Sequence, residues 1–188
     1  RPGRKARIAI VGDLYVKYND LVNQRLQDLI ADLGGEVVLS SFTEYPLHFL
    51  DTDSKLYGED SRTYGLLRRT EVEFEEPARD LLGDLVEPDY TECAALLEEY
   101  GIKHGLPGET TINVARVLYF IKKGLVDAVI HVNPMFCCPG VVTASIFRKV
   151  QEDFRVPVID IFYDGTGRPN RNLIPHLHYL QAQPAPKA

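Results

Sequence analysis

"ARIAIVGD", residues 6–13, decides the fold. It is a short run of β-branched and small apolar residues that stops at Gly12-Asp13, the pattern of a strand entering a turn. Leu21, Val22, Leu26, Leu29, Ile30 and Leu33 follow at helical spacing, and Gly34-Gly35 ends that pattern. "EVVLSS", residues 36–41, is a second strand. Strand, helix and strand in that order predict parallel neighbours joined by a right-handed crossover.

The same rhythm returns later. "GETTINVARVLYFIKKG", residues 108–124, places Val114, Val117, Leu118 and Ile121 on one helical face, with Thr110 or Thr111 as its expected N-cap. "VDAVIHV", residues 126–132, is a third strand, apolar throughout as a central parallel strand should be. Val142, Ile146 and Val150 mark the next helix, whose first residue is expected to be Pro139. "VPVIDIFY", residues 156–163, is a fourth strand, "DGTGRPN" a turn, and residues 170–181 a final helix. Between strands two and three, residues 44–104 are rich in Leu, Glu, Asp, Tyr and Arg. They predict two to four helices broken near Pro77, Gly83 and Pro88, an insertion too long for a simple loop. The fold class is therefore α/β: a four-stranded, mostly parallel sheet in the order 2-1-3-4, helices on both faces, and a helical insertion. Residues 1–182 make one Rossmann-like domain, and "QAQPAPKA" ends the chain in a tail expected to be disordered from residue 183.

Composition bounds the function. The length of 188 residues suits one domain with an insertion, and 45% hydrophobic content is ample for its core. A net charge of -6 argues against a nucleic-acid partner, whose phosphates need a basic surface. From Glu71 to Glu99 there are eleven acidic residues and one base, Arg79; this reads as a solvated helical face, or as a docking surface for a basic partner. No apolar run reaches the roughly 18 residues of a membrane span. "RPGRKAR" is basic but leads into too short a run for a signal peptide. Three cysteines without an export signal suit a reducing cytoplasm. Met135 is the only methionine, and "RPGRK" reads as a linker, so a module of a longer protein is expected.

In a doubly wound sheet, ligands bind beyond the carboxyl ends of the strands, where the winding reverses. Four loops end there: Gly12-Asp13, Ser40-Ser41, Pro134 to Cys138, and Tyr163-Asp164-Gly165. The third holds the adjacent pair Cys137-Cys138, at the start of a helix whose N-terminus favours a thiolate. Such a thiolate could serve as a metal ligand or a nucleophile; equally, both cysteines could be small residues filling space under a loop. A phosphatase-type thiol loop is excluded, because positions 143 and 144 are Thr and Ala where an arginine would be needed. A zinc or iron–sulfur site needs about four ligands. Adjacent side chains diverge, and Cys93 lies in the insertion, so this chain cannot supply four cysteines. "GDLYVKYND" lacks the three-glycine dinucleotide pattern, and no lysine-bearing phosphate loop occurs. "DGTG" reads as a plain turn before a phosphate cradle. His131 reads as a satisfied core histidine, and His176 and His178 fall on different helical faces.

"ARIAIVGDLYVKYNDLVNQRL", "GGEVVLSSFTEY", "GETTINVARVL", "VIHVNPMFCCPGVVTASI" and "VPVIDIFYDGTG" together resemble one family. It is the acyl-CoA dehydratase activase-related proteins, or CoA-substrate-specific enzyme activases. Their relatives are the 2-hydroxyacyl-CoA dehydratase subunits and the double-cubane-cluster proteins. The resemblance is weakest over residues 50–105. It implies that Cys137 is one of three thiolate ligands of a four-iron four-sulfur cluster, the other two coming from preceding domains. Cys138 would be a spare ligand or a helix cap. Tyr15 and the Asn19–Asn23 region would lie near the pocket, with Gly12, Asp13, Pro134, Asp164 and Gly165 around it. An ATP-hydrolysing activator would supply the electron, its ATPase motif lying outside this chain. The partners would be other domains or subunits of that system. The readings that compete with this redox module are an α/β scaffold that docks partners through the acidic insertion, and a small-molecule or CoA-binding module.

Overall fold

The computed structural model describes residues 5–57, 62–88, 90–103 and 108–182. The expected disordered tail and most of the basic start lie outside them. The sheet has four parallel strands: β1 (Arg7–Gly12), β2 (Glu36–Leu39), β3 (Ala128–Pro134) and β4 (Val158–Tyr163). Their order is β2-β1-β3-β4. Ile8 lies opposite Val37 on one side and Ala128 on the other, and Ile130 opposite Ile159. β2 is shorter than the expected 36–41, and β3 starts and ends two residues later than 126–132.

Alternation along the strands divides the core in two. Ile8, Ile10, Ile130 and Val132 point to one face and pack with Leu26, Ile30, Leu173 and Leu177. Ala9, Val11 and Val129 point to the other and pack with Val114, Leu118, Phe147 and Val150. The helix expected from Leu21 to Leu33 starts later than its pattern, and a short helix precedes it. The chain forms α1 (Leu14–Tyr18), a turn over residues 19–25, and α2 (Leu26–Asp32), so the first turn of the expected Leu21–Leu33 helix is not helical. Asparagines are the cause, since their side chains replace helical backbone bonds. Asn19 Oδ1 accepts from the N–H of Leu21 and of Val22. Asn23, fully buried, donates through Nδ2 to the carbonyls of Val16 and Lys17 and accepts from Leu26 N–H. Gln24 and Arg25 take left-handed backbone conformations, and Leu21, expected on the buried stripe, is 89% exposed.

The segment between β2 and β3 is helical, as expected. It contains α3 (Glu44–Tyr57), α4 (Arg62–Glu75), α5 (Arg79–Leu82) and α6 (Tyr90–Glu99), with single 3-10 turns at Glu76–Ala78 and Gly83–Leu85. The crossover helix α7 (Thr110–Lys122) runs under it. Sequence periodicity gave α7 one apolar face. In the fold every residue from Thr111 to Phe120 is buried, because the sheet covers one side and the insertion the other. Neither threonine caps it: Glu109 holds the N-cap position, Thr110 Oγ1 donates to the Pro139 carbonyl, and Thr111 faces His48. α8 (Cys138–Phe154) begins one residue before the expected Pro139. A 3-10 turn (Pro169–Asn172) then precedes α9 (Leu173–Ala182). Among the described residues no helix is long and apolar enough to cross a membrane.

Candidate functional site at the carboxyl edge of the sheet

The loops after β1 and β3 are locked together. Asp13 N–H donates to the Val132 carbonyl at 2.9 Å, and Asp13 Oδ1 caps α1 by accepting from Val16 N–H at 2.8 Å. Gly12 has φ +127° and its carbonyl accepts from the Tyr45 hydroxyl. A Cβ built on Gly12 would lie 2.0 Å from the Val132 carbonyl oxygen, so only glycine lets β1 and β3 approach here. Tyr15, one turn on, is 66% exposed.

Pro134 ends β3, paired with Tyr163 of β4, and its carbonyl accepts from Cys137 N–H at 3.2 Å. This tight turn forces Phe136 to φ +66° and leaves its ring 93% exposed. Cys137 is the N-cap of α8, half-buried, with extended backbone and no side-chain capping bond; Cys138 is the first helical residue and exposed. Beneath them runs a buried polar chain. His131 Nδ1 meets Asp160 Oδ1 at 2.7 Å, and Asn133 Nδ2 meets His131 Nε2 at 2.9 Å. With Asp160 accepting from Nδ1–H, Nε2 accepts from the Asn133 amide. His131 is thus a satisfied core residue, and Asn133 Oδ1 is left to abut α8. A Cβ on Gly140 would sit 2.5 Å from that oxygen.

The Asp164-Gly165 loop is a self-contained turn. Asp164 Oδ1 accepts from the N–H and the hydroxyl of Thr166, bonds that hold its carboxyl below the usual aspartate range. Gly165 takes φ +81°. Opposite, residues 108–110 lean on α8: Gly108 lies against the Pro139 ring and Thr110 bonds its carbonyl. Glu109 therefore faces the β1 loop. Burial, then the charge of Asp13, raise its carboxyl to about 7, against the pull of Leu14 N–H and Lys17.

Over the β1 and β2 ends lies a cluster that sequence reasoning missed. Lys17 Nζ, fully buried, donates to Ser40 Oγ at 2.6 Å and Glu44 Oε1 at 2.9 Å. Arg116 Nε donates to Glu44 Oε2 at 2.8 Å, and its Nη2 pairs with Glu87 Oε1. Arg68 pairs with Glu71, which also accepts from the Thr43 hydroxyl. Burial alone would raise Glu44, but Arg116, Lys17 and the Ser40 hydroxyl outweigh it and hold its carboxyl below the usual range. Glu87 goes the other way: burial pushes it up to about 8, and repulsion from Glu44 and Glu71 adds to a shift that Arg116 only partly offsets. Glu71 and Glu87 thus depart from the expected solvated acidic face. One sign of the cluster was legible, an arginine inside the apolar run "INVARVLYF".

Among the described residues, no group of three or more His, Cys, Asp or Glu side chains is placed to hold a metal ion. Cys93 packs into the core beside α7, and burial pushes its thiol up to about 12. The thiols at the carboxyl edge are Cys137 and Cys138 alone. That donor set falls short of the about four ligands a complete zinc or iron–sulfur site needs. Comparison with family models, with curated proteins and with solved structures finds no match to this chain.

Proposed function

We propose that the chain is a module of an iron–sulfur electron-transfer system related to the 2-hydroxyacyl-CoA dehydratases and their ATP-dependent activases. In this reading Cys137 is one ligand of a four-iron four-sulfur cluster whose other ligands come from further domains or subunits. ATP is hydrolysed elsewhere in the system, and the whole works in the reducing cytoplasm. The observation that carries the reading is the placement of the cysteine pair, accessible on the central strand's carboxyl edge at the start of a 17-residue helix.

The cluster, when bound, supplies low-potential one-electron transfer. This chain's residues orient its ligand. Asn133 and the Asp160–His131 pair fix the first turn of α8 from below, and the Pro134 turn sets the direction of Cys137. Exposed Met135 and Phe136 form an apolar tip that would exclude water once another domain covers it.

The test is anaerobic isolation of the intact protein, with iron, sulfide and electron paramagnetic resonance read together. Cys137→Ala lowers iron content and removes the low-potential signal, while Cys138→Ala does less. Full iron and redox activity in both variants would pass the reading to the scaffold alternative.

A further inference from the structure

A cavity of about 50 Å³ opens between the insertion and α7, away from the cysteine loop. Its walls are apolar and polar, and the carboxylates of Glu44 and Glu87 reach it as well. Leu47, Leu97, Ile112, Ala115 and Pro88 line it with carbon, and Arg116, Arg68 and His48 bring cationic or hydrogen-bonding heads. Arg116 is the centre of the argument. Its Nε is committed to Glu44 and its Nη2 to Glu87, and Nη1, with two N–H donors, has no partner among the described residues. A buried guanidinium with an uncommitted edge beside an apolar cavity is a receptor for an oxygen anion, because a carboxylate takes such an edge in a charge-assisted pair.

Size and charge narrow the class. Each water needs roughly 10–15 Å³ of such space, so the cavity holds about three to five small atoms. Among the charged groups around it, Lys17, Arg68 and Arg116 face Glu44 and Glu71. Glu75 accepts from Glu87 N–H and balances the count, but Glu87 itself, its carboxyl raised to about 8, is mostly protonated at pH 7 and leaves Arg116 with one carboxylate partner, Glu44. The remaining titratable neighbours, Tyr18, Tyr64, His48 and Cys93, carry no negative charge at pH 7 by their ordinary ranges, and burial raises both Tyr18 and Cys93 further.

We infer that this cavity is a binding site for a short aliphatic monocarboxylate of two or three carbons, its carboxylate on Arg116 and its alkyl end against Leu97, Ile112 and Ala115. The site is independent of the cluster reading, since it uses neither Cys137 nor Cys138.

The probe is sodium propionate titrated into the isotope-labelled chain at constant ionic strength, followed by nuclear magnetic resonance. Saturable shifts are expected at α7 and the facing α3, with millimolar affinity, and none from ethylammonium chloride or sodium chloride. Affinity should fall at least several-fold from pH 7 to pH 9 as Glu87 ionises. Ala115→Val, which fills the cavity and keeps every charge, should abolish binding in a protein whose spectrum is otherwise retained; Arg116→Lys should weaken it. Failure to saturate, an equal response to ethylammonium, shifts centred on another region, or affinity unchanged between pH 7 and pH 9 would each overturn the inference.

Discussion

The cysteine loop and the charge cluster occupy the same edge of one sheet, and they are built in opposite ways. Pro134 to Gly140 is contiguous, with an exposed tip at Met135, Phe136 and Cys138 and a base held by Tyr163 and Thr110. The cluster of Lys17, Ser40, Glu44, Glu87 and Arg116 is closed to water and drawn from α1, the end of β2, the insertion and α7. Only its base, Pro139 and Gly140, is anchored by distant residues, so the residues of its exposed tip can be exchanged for a function at little structural cost. In the second, each charge has partners from distant segments, and the insertion is fastened to the sheet through them. The comparison teaches that chemistry offered outward and chemistry turned inward can share one edge while making opposite demands on stability.

The largest effect should separate the two at once. Arg116→Leu leaves Glu44 short of a partner and Glu87 without one, and is expected to cost about 3–5 kcal/mol. Cys137→Ser should change stability by about 0.5 kcal/mol or less, as for a position away from the core. Urea unfolding of the two variants measures both, and equal losses would break the contrast.

A smaller effect sharpens it through pH. Glu87 has its folded pKa raised from 4.5 to about 8. The folded state therefore holds a proton that the unfolded chain has released, and this contribution is complete below about pH 4.5 and lost as pH rises toward 8. Glu109, raised to about 7 at the carboxyl edge, acts in the same direction over a narrower window. Glu44 acts oppositely, its contribution being lost as pH falls below the usual carboxylate range. Stability should thus decline from pH 5 to pH 8 by roughly a few kcal/mol. Glu87→Gln should flatten most of that decline and Glu109→Gln a lesser part. A profile unchanged in Glu87→Gln would mean that Glu87 is ionised in the fold.

The smallest effects lie within the cysteine loop itself. Gly140→Ala pushes a methyl group onto Asn133, which His131 holds in place, and should cost about 1–3 kcal/mol. Phe136→Gly relieves a positive φ but adds freedom to the unfolded chain, so its net change should be about 1 kcal/mol or less. Thermal melts of the two variants would locate the boundary between the loop's exposed tip and its anchored base.

By itself the sequence determined the sheet, its order and the position of the cysteine loop. Each of these is written in local pattern: short β-branched runs, helical spacing between them, and a Pro-Gly pair opening a helix. Local pattern also misled where side chains competed with the backbone. Leu21 kept helical spacing in "NDLVNQRL", yet Asn19 and Asn23 captured the bonds that a helix there would have used. Thr110 and Thr111 looked like caps, but the neighbouring Pro139 carbonyl and His48 gave them other partners. Only the tertiary structure decided which charges are buried. Glu71 and Glu87 stand in an acidic stretch whose composition alone does not separate them from their solvated neighbours. Arg68 already stands one turn before Glu71 on α4, but only the folding of the insertion over α7 brings Arg116 to Glu87 and excludes water from both pairs. Burial of a charge is a property of what arrives from elsewhere in the chain, and no window of sequence contains it.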